Sequence, residues 1–258
     1  MLVDDALKLT DARGVVGVLG RRGTPHGPFR RRLRRLIHFF AYHLILARPR
    51  TRITRAGGFR LVVHATVFHP RYFLSSEYFA KFISHLDLRG KRVVDVGTGS
   101  GILALAAARA GAVNVKAADI NPNAALTAAE NARANGVADR VSALCSNLLS
   151  ALAPRPLFDV IISSPPKHAG KPRDLADRGW HGGPQYRDIA ALFDQSRERL
   201  KPGGRVYVMV SSDSDLDLFS TFITRAGFQA QLVAEHSILI ESFLLYSLQA
   251  CEGQRVSR

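Results

Sequence analysis

The stretch that decides the fold is "RVVDVGTGSGILALAAARAGA" (Arg92–Ala112). A short apolar run of strand length passes directly into a glycine-rich turn, and an alanine- and leucine-rich segment of helix length follows. A strand, a glycine turn and a helix in this order form the first half of a βαβ unit, and such units bind ligands at the carboxyl end of the strand. Glycines there let the backbone come close to a ligand. The stretch therefore predicts an α/β fold and the position of its binding site.

Strand-like and helix-like segments alternate from this stretch to the end of the chain. The last two apolar runs, "AQLVAEH" and "ESFLLYSLQ", are separated by a short connection, which is typical of an antiparallel hairpin. The pattern predicts a doubly wound, mostly parallel α/β sheet with an antiparallel hairpin at its C-terminal edge. The preceding strands are expected in "KRVVDVG", "VKAADI", "RVSALCS", "FDVIISS" and "GRVYVMVS".

Three further elements are predicted before this sheet. The stretch "PFRRRLRRLIHFFAYHLILARPR" (Pro28–Arg50) predicts a helix, because prolines lie near both of its ends. We expect its apolar part to pack on the main domain, and a helix that lies in a membrane interface is the alternative. Residues 53–63, "ITRAGGFRLVV", predict a short β-hairpin that turns at Gly57 and Gly58.

A third element, an amphipathic helix, is predicted to lead into the sheet within "HPRYFLSSEYFAKFISHL" (His69–Leu86). Ser75 or Ser76 is expected to cap it, since a serine side chain accepts a hydrogen bond from a free N–H of the first turn. The chain is thus divided into a basic N-terminal extension with a helix and a β-hairpin, residues 1–68, and a main domain, residues 69–258.

Positive charge is concentrated before the main domain. The chain carries 36 lysines and arginines against 21 aspartates and glutamates, a formal net charge of +15. No acid occurs between Ala12 and Ser76, and twelve arginines lie in the segment from Arg21 to Arg60. Arginine clusters attract the phosphates of RNA, as in the ribosome, or anionic lipid head groups, with about 1 kcal/mol from each contact at a membrane. The segment predicts an anionic partner, and a solvated extension is the alternative.

Composition excludes several classes of protein. Apolar residues make up 47% of the chain, too many for a disordered one. Cys145 and Cys251 are too few for a disulfide framework and lack the spacing of a metal site. The N-terminal "MLVDDALKLT" does not resemble a secretory signal, and the longest apolar run, Leu36–Ala47, would span about 18 Å as a helix against about 30 Å of hydrocarbon. We expect a cytoplasmic protein without a metal, which can at most lie on a membrane surface.

Acids flank the glycine loop. Gly97, Gly99 and Gly101 follow Asp95, and Asp119 ends the next predicted strand. A carboxylate at that strand end accepts hydrogen bonds from the ribose hydroxyls of a nucleoside. The dinucleotide fingerprint is G-x-G-x-x-G, whereas this loop is G-x-G-x-G. The pattern predicts a cofactor that contains a nucleoside, with a nicotinamide-dependent dehydrogenase as a minor alternative.

In its βαβ frame, this loop resembles that of the class I S-adenosylmethionine-dependent methyltransferases. The resemblance implies a Rossmann-like, seven-stranded sheet and S-adenosylmethionine as the cofactor, with Thr98 and the loop glycines at its methionine part. The Asp95 carboxylate would contact the ammonium group or, as the alternative, stabilise the loop backbone. Asp119 and its neighbour Ile120 are implied as cofactor-binding residues, and the side-chain oxygen of Asn147 would accept from the adenine amino group.

A second motif, Ser164-Pro165-Pro166, follows the fourth predicted strand in "IISSPPKHAG". Proline fixes its own φ and makes the preceding residue extended, so this turn is stiff. It resembles the Asn/Asp/Ser-Pro-Pro-aromatic signature of methyltransferases that act on planar amino groups. The resemblance implies that Ser164 and the backbone carbonyl after it accept hydrogen bonds from the target NH₂. Holding nitrogen, methyl and sulfur in line would supply most of the catalysis.

The resemblance extends to the release-factor glutamine methyltransferase (HemK-like) superfamily, over roughly Ile53 to Leu248. "VFHPRYFLSSEYF" resembles its proline-containing segment and places Glu77 at the acidic position, which implies cofactor binding. "GWHGGPQYRDI" and "RLKPGGRVYV" resemble two of its later stretches. The implied methyl acceptor is a protein glutamine, a nucleobase or a small molecule.

Lys167 departs from the signature, which has an aromatic residue at this position. A lysine cannot stack on a planar amide, and its charge would oppose a nearby sulfonium unless it points away. Trp180 or Tyr186 would then have to supply the missing face. His168 could act as a general base on a hydroxyl acceptor, because imidazole titrates near neutrality; an idle, exposed histidine is the alternative.

The leading hypothesis is a methyltransferase that modifies a planar amide or amine nitrogen held by the Ser-Pro-Pro turn. One alternative is a methyltransferase of a small-molecule hydroxyl or amine. The other is a non-catalytic S-adenosylmethionine-binding module that docks on RNA or an anionic membrane, and Lys167 is the residue that motivates it.

Overall fold

The computed structural model describes residues 51–70, 74–238 and 241–251, so the predicted helix over residues 28–50 lies outside the described residues. Seven strands form one sheet in the order β5-β4-β3-β6-β7-β9-β8, and β1 and β2 form a separate hairpin. In chain order the elements are β1 (Arg52–Ala56), β2 (Phe59–Val63), α1 (Leu74–Ser84), β3 (Arg92–Val96), α2 (Ile102–Arg109), β4 (Asn114–Asp119), α3 (Pro122–Ala134), β5 (Val141–Cys145), β6 (Phe158–Ser163), α4 (Arg187–Arg199), β7 (Leu200–Ser211), α5 (Leu216–Arg225), β8 (Phe228–Ser237) and β9 (Ser242–Ala250).

The register of the parallel strands aligns their carboxyl ends. Val96, the last residue of β3, pairs with Ala118 of β4 and with Ser163 of β6. Asp119 at the end of β4 pairs with Cys145 at the end of β5. The residues that follow these four strands therefore meet at one edge of the sheet, where ligands of open α/β sheets bind.

The C-terminal edge of the sheet is antiparallel, as predicted. β9 lies between β7 and β8 and is antiparallel to both. The chain thus passes from β7 through α5 to the outermost strand and returns by β9 beside β7. This return places the β8–β9 connection next to Ser211, the carboxyl end of β7, because Ser211 pairs with Phe243.

Helices cover both faces of the sheet, which confirms the doubly wound architecture. One core cluster packs α1, α2 and α3 on the first face, with Phe79, Ile83 and Leu105 fully buried. The other packs α4 and α5 on the opposite face around Phe193 and Phe219. None of the helices in the described ranges is long and apolar enough to cross a membrane.

The β1–β2 hairpin is fastened to the main fold by amide side chains of α3. The Oδ1 of Asn131 accepts from Val62 N at 2.7 Å, and its Nδ2 donates to Val62 O at 2.8 Å and to Ser100 O at 2.9 Å. One turn later, Asn135 makes the equivalent pair of bonds with the backbone of Arg60. Asn131 is fully buried, so a single side chain joins the hairpin, α3 and the glycine loop.

The predicted cap of the helix that leads into the sheet is wrong. α1 begins at Leu74, so Ser75 and Ser76 lie inside its first turn and neither is the N-cap residue. The helix starts earlier than the serine positions suggested. The predicted domain boundary at residue 68 stays a prediction; apolar side chains of the hairpin, Phe59 and Leu61, belong to the same buried cluster as α1 and α2.

Candidate cofactor and acceptor site

A cavity of about 400 Å³ lies at the carboxyl ends of β3, β4, β5 and β6. Its wall also includes the segment after β2, the loop after β6 and the β8–β9 connection. Asp95, Gly101, Glu77 and His168 are not among the lining residues. The predicted site residues that do line it are Gly97, Thr98, Gly99, Asp119, Ile120, Asn147, Ser164, Pro165 and Pro166.

The glycine loop has left-handed backbone angles, with φ of +53° at Gly99 and +81° at Gly101. A Cβ at Gly101 would lie 3.0 Å from the Cα and Cβ of Ala128, so Gly101 lets the start of α2 pack on α3. A Cβ at Gly99 would meet nothing within 4 Å, because this part of the loop faces the open cavity. Gly101 therefore has a packing role, whereas Gly99 leaves backbone exposed to a ligand.

Asp95 supports the glycine loop from its buried side, away from the cavity. Its side chain is fully buried, and its Oδ2 accepts a hydrogen bond from Thr98 Oγ1 at 2.6 Å. The pKa of the Asp95 carboxyl is raised to about 7, mainly by burial and in smaller part by the nearby Asp119, against the opposing hydrogen bond from Thr98. Of the two roles considered for Asp95, this position favours stabilisation of the loop over contact with a ligand in the cavity.

The raised pKa of Asp95 predicts a pH-dependent stability. Between the ordinary value of 3.8 and about 7, the folded protein holds a proton on Asp95 that the unfolded chain has released. The stabilisation is therefore complete below pH 3.8 and is lost as the pH rises through about 7. Asp95→Asn cannot titrate, so the unfolding free energy of the wild type relative to this variant should decrease from pH 5 to pH 8 in urea titrations. A difference that is constant with pH would contradict the prediction.

Asp119 lies in the cavity wall with its carboxylate fixed by backbone donors. Oδ2 accepts from Gly99 N at 2.9 Å and Oδ1 accepts from Asn121 N at 2.9 Å. Burial raises the pKa of Asp119, and these backbone bonds oppose that change. Ile120 and Asn147 line the same part of the wall, after β4 and β5. The three side chains predicted for the nucleoside are thus brought together.

Glu77 lies in the first turn of α1 and is directed at the hairpin. Its Oε1 accepts a hydrogen bond from Gly57 N at 2.8 Å. Gly57 occupies the tight turn of the hairpin with φ of +56°. This contact gives Glu77 a role in positioning the hairpin turn on the main fold, and the cavity is lined instead by its neighbours Ser75 and Ser76.

The Ser-Pro-Pro turn follows β6 directly and lines the same cavity as the residues predicted for the nucleoside. Ser163, just before it, donates from Oγ to Val96 O at 2.9 Å and so ties the end of β6 to the end of β3. After the prolines, the carbonyl of Lys167 accepts from the Tyr186 hydroxyl at 3.0 Å. The turn is therefore held at both ends as well as stiffened by its own prolines.

Lys167 forms an ion pair across the cavity wall. Its Nζ lies 2.8 Å from Oε2 of Glu241, and the two side chains are 22% and 10% exposed. The Oε2 atom also accepts from Ser211 Oγ at 2.7 Å. Glu241 therefore neutralises the lysine, which removes the reason for regarding Lys167 as incompatible with a cationic cofactor.

Of the two aromatic residues considered as substitutes for the missing signature aromatic, Trp180 is the one in the cavity wall. Its ring is 7% exposed and lies 5.8 Å from that of Phe68, which also lines the cavity. Tyr186 packs edge-on against Phe219 with ring centroids 5.0 Å apart, and its hydroxyl fixes the turn. Trp180 thus supplies an apolar face, whereas Tyr186 supports the backbone.

His168 belongs to the framework of the loop after β6. Its backbone N–H donates to Trp180 O at 3.0 Å, and its carbonyl accepts from Gly182 N at 2.9 Å. Because His168 does not line the cavity, its position does not support the role of general base. His181, which pairs with Asp177 at 3.2 Å, is the histidine that reaches the wall.

Sequence reasoning missed several wall residues, of which Glu241 and Ser211 matter most for charge. Both lie far along the chain from Lys167, so local spacing carried no signal for their contact. A weak signal existed in the predicted hairpin, since its connection had to return to the carboxyl ends of the parallel strands. The other cavity residues missed include Thr66, Phe68, Ser75, Ser76, Arg178 and Asp188.

Comparisons with known proteins agree with this fold and loop. The family model of ribosomal protein L11 methyltransferase (PrmA) matches residues 78–164, which run from α1 to the Ser-Pro-Pro turn. A ribosomal protein L11 methyltransferase of Methylococcus capsulatus is 32% identical over 163 residues, 63% of this chain and 46% of the relative. The chain thus spans about half the length, or less, of the L11 methyltransferases that it matches.

Two other comparisons cover more of the chain. A protein of Methanocaldococcus jannaschii, named as a candidate protein N5-glutamine methyltransferase, is 27% identical over 198 residues, 75% of this chain and 96% of that protein. The solved 16S rRNA methyltransferase of T. thermophilus, in complex with AdoMet and guanosine, has a TM-score of 0.54 and 23% identity, and covers 76% of this chain and 49% of its own. The structural likeness shows a shared fold.

The strand order, the glycine loop at the end of β3 and the acid at the end of β4 are thus found in a chain whose relatives are methyltransferases. The chain is thus similar, in fold and in sequence, to class I S-adenosylmethionine-dependent methyltransferases.

Proposed function

We propose that this protein transfers a methyl group from S-adenosylmethionine to a planar amide or amine nitrogen. The observation that carries the proposal is that the Ser164-Pro165-Pro166 turn lines the same cavity as the glycine loop and Asp119. The residues predicted for the nucleoside and for the amino group thus line one cavity.

The residues present fit the cofactor. The backbone of Gly97 and Gly99 is open to the cavity, since a Cβ on either would meet nothing within 4 Å. Asp119 offers carboxylate oxygens for the ribose, and the side-chain oxygen of Asn147 can accept from the adenine amino group. When bound there, S-adenosylmethionine supplies an activated methyl group on a sulfonium.

The chain's own contribution is positioning. The Ser164 hydroxyl and the backbone carbonyl that follows it accept hydrogen bonds from the target NH₂, which fixes the nitrogen and its orientation. The lone pair of an amide or aryl amine is delocalised, so alignment contributes more than proton transfer does. Trp180 covers the wall with an apolar face that excludes water from the reacting atoms. The position of His168 outside the cavity disfavours His168 as the general base that a hydroxyl acceptor would need.

The expected result for Ser164→Ala and for Pro166→Ala is a loss of methyl transfer with cofactor binding retained. Tritiated S-adenosylmethionine is incubated with cell extract, and incorporation is compared with that of the wild type; each variant should lose about 10- to 100-fold, in keeping with the loss of a positioning contact. S-adenosylhomocysteine affinity, measured by calorimetry, serves as the control. Wild-type protein that binds the cofactor product without labelling any acceptor would favour a non-catalytic binding module.

We also propose an acceptor that is part of, or bound to, an anionic partner, an RNA or the ribosome. Arg55 and Arg60 face each other across the hairpin, and both are exposed. Like charges directly opposite each other repel, and a bound phosphate would reduce this repulsion. The relatives named above include enzymes of a ribosomal protein and of 16S rRNA. Digestion of the labelled extract with nuclease or protease shows which fraction holds the methyl group.

A further inference from the structure

Lys167 stands at the position where the signature has an aromatic residue, and its side chain is paired with Glu241. The ammonium and carboxylate are 2.8 Å apart, and both residues line the cavity beside the Ser-Pro-Pro turn. A hydrogen-bonding wall has therefore replaced a stacking face at the acceptor end of the site. The contacts below indicate what such a wall can bind.

Each partner keeps hydrogen-bonding capacity for a molecule in the cavity. The bonds from Lys167 and Ser211 to Glu241 both use Oε2, so Oε1 is the oxygen that can accept from an acceptor molecule. An ammonium has three N–H donors, and Lys167 directs one of them to Glu241. A donor and an acceptor of hydrogen bonds thus lie side by side.

The backbone under both residues is fixed. The Lys167 carbonyl is held by the Tyr186 hydroxyl at 3.0 Å. The Glu241 carbonyl accepts from Ile238 N at 2.8 Å, and the next residue, Ser242, exchanges hydrogen bonds with Ser212 at 2.8 and 3.0 Å. Polar groups that are held in advance in this way discriminate between ligands, since little ordering is needed on binding.

We propose that Lys167 and Glu241 are the specificity-determining residues for the methyl acceptor. They select an acceptor whose edge beside the target nitrogen carries a carbonyl oxygen, bound by Lys167, next to an N–H or O–H, bound by Glu241. The lactam edge of a nucleobase has this pattern, because a ring N–H and a carbonyl lie beside the amino group. A primary carboxamide lacks it, since its only N–H groups are those of the target nitrogen, and simple amines and aryl amines without a neighbouring carbonyl lack it too. The proposal rests on the methyl-transfer function proposed above.

The test replaces both charges together, with the variant Lys167→Met/Glu241→Met. Apolar residues of similar size in place of a buried ion pair are often neutral for stability, so the protein should remain folded. S-adenosylhomocysteine affinity should stay within about twofold of the wild type. Transfer of tritiated methyl to the extract should fall by about 100-fold, because a site that recognises its substrate by hydrogen bonds binds that substrate poorly once the bonds are removed. Nuclease, and not protease, is expected to release the label from the wild-type product, because the pattern is that of a nucleobase edge.

A matched control and a second variant complete the test. Asp194 and Arg225 form a 2.7 Å ion pair between α4 and α5 and do not line the cavity, so Asp194→Met/Arg225→Met should transfer like the wild type. The exchange variant Lys167→Glu/Glu241→Lys keeps an ion pair but reverses its donor and acceptor, and it should bind S-adenosylhomocysteine yet lose transfer.

Three outcomes would overturn the proposal. Transfer at wild-type level by either the double-methionine or the exchange variant would show that the pair only supports the structure. Loss of S-adenosylhomocysteine binding in both would assign the pair to the cofactor part of the cavity. A wild-type protein that labels nothing would instead refute the methyl-transfer function itself, which is a distinguishable failure.

Discussion

Asn131→Asp is expected to destabilise the protein by about 3 kcal/mol or more, because two buried hydrogen bonds are lost and a carboxylate is set against two carbonyl oxygens. Nδ2 of Asn131 donates to Val62 O and Ser100 O, and aspartate has no donor to replace it. The side chain is fully buried, so water cannot compensate. The midpoint of urea unfolding measures the effect.

The control for this change is Asn135→Asp, one turn further along α3. Asn135 makes the same kind of bonds, with Arg60 N, Arg60 O and Asn131 O, but it is only half-buried. Water can solvate the groups that lose their partners, so the loss should be about 1 kcal/mol. Equal unfolding midpoints for the two variants would contradict a special role for Asn131. A second consequence is expected for Asn131→Asp alone. The Ser100 carbonyl that loses its partner belongs to the glycine loop, so S-adenosylhomocysteine affinity should also fall.

Asp119→Ala is expected to weaken S-adenosylhomocysteine binding by about 100-fold. Two hydrogen bonds from ribose hydroxyls to a carboxylate contribute about 1.5 kcal/mol each, and 1.4 kcal/mol corresponds to a tenfold change in affinity. In the wild type, the ligand at 100 times its dissociation constant should add about 2.7 kcal/mol of stability, whereas NADH should add none. Calorimetric titration measures the affinity, and thermal unfolding measures the stabilisation.

Two variants separate ligand contact from loop support at Asp119. Its carboxylate also accepts from Gly99 N and Asn121 N, so alanine removes these bonds as well. Asp119→Asn keeps one acceptor oxygen and should show an intermediate affinity. Asp194→Ala, on the exposed surface of α4, should bind like the wild type. An Asp119→Ala protein that is folded and binds within about threefold of the wild type would rule out the ribose role, because even one lost charged hydrogen bond costs more. If NADH raised the unfolding temperature and S-adenosylhomocysteine did not, the assignment of S-adenosylmethionine as the cofactor would be wrong.

The architecture was predictable from sequence because its signals are local. Strand-length apolar runs and the glycine turn at Gly97–Gly101 predict the parallel sheet, and the carboxyl-end rule places Asp119, Asn147 and Ser164 at one edge of it. In the structure these three residues line one cavity, and their roles stay predictions. Hydrophobic periodicity and turn-forming residues are signals that extend over only a few positions, so they can be read from one sequence.

The parts that could not be predicted depend on contacts between distant residues. Lys167 pairs with Glu241 across 74 positions, and its charge was therefore interpreted without its partner. Glu77 was assigned to the cofactor from a motif, whereas the fold directs it to Gly57. The local sequence around Asn131 carries no signal of its burial, because burial of an amide is decided by the backbone that packs on it. Charge compensation and polar burial are properties of the assembled fold.

The short connection between β4 and α3 constrains how this chain can change in length. Asp119 binds Asn121 N, and the side chain of Asn121 caps α3 through Asn123 N while its Nδ2 donates to the backbone of Thr66 in the cavity wall. One inserted residue would displace Asp119, the start of α3 and the contact with Thr66 relative to one another. The exposed stretch over residues 153–156, between β5 and β6, does not link a cavity residue, a helix start and the cavity wall in this way. Insertions during evolution are therefore expected to accumulate there, while the five residues 119–123 keep a fixed length.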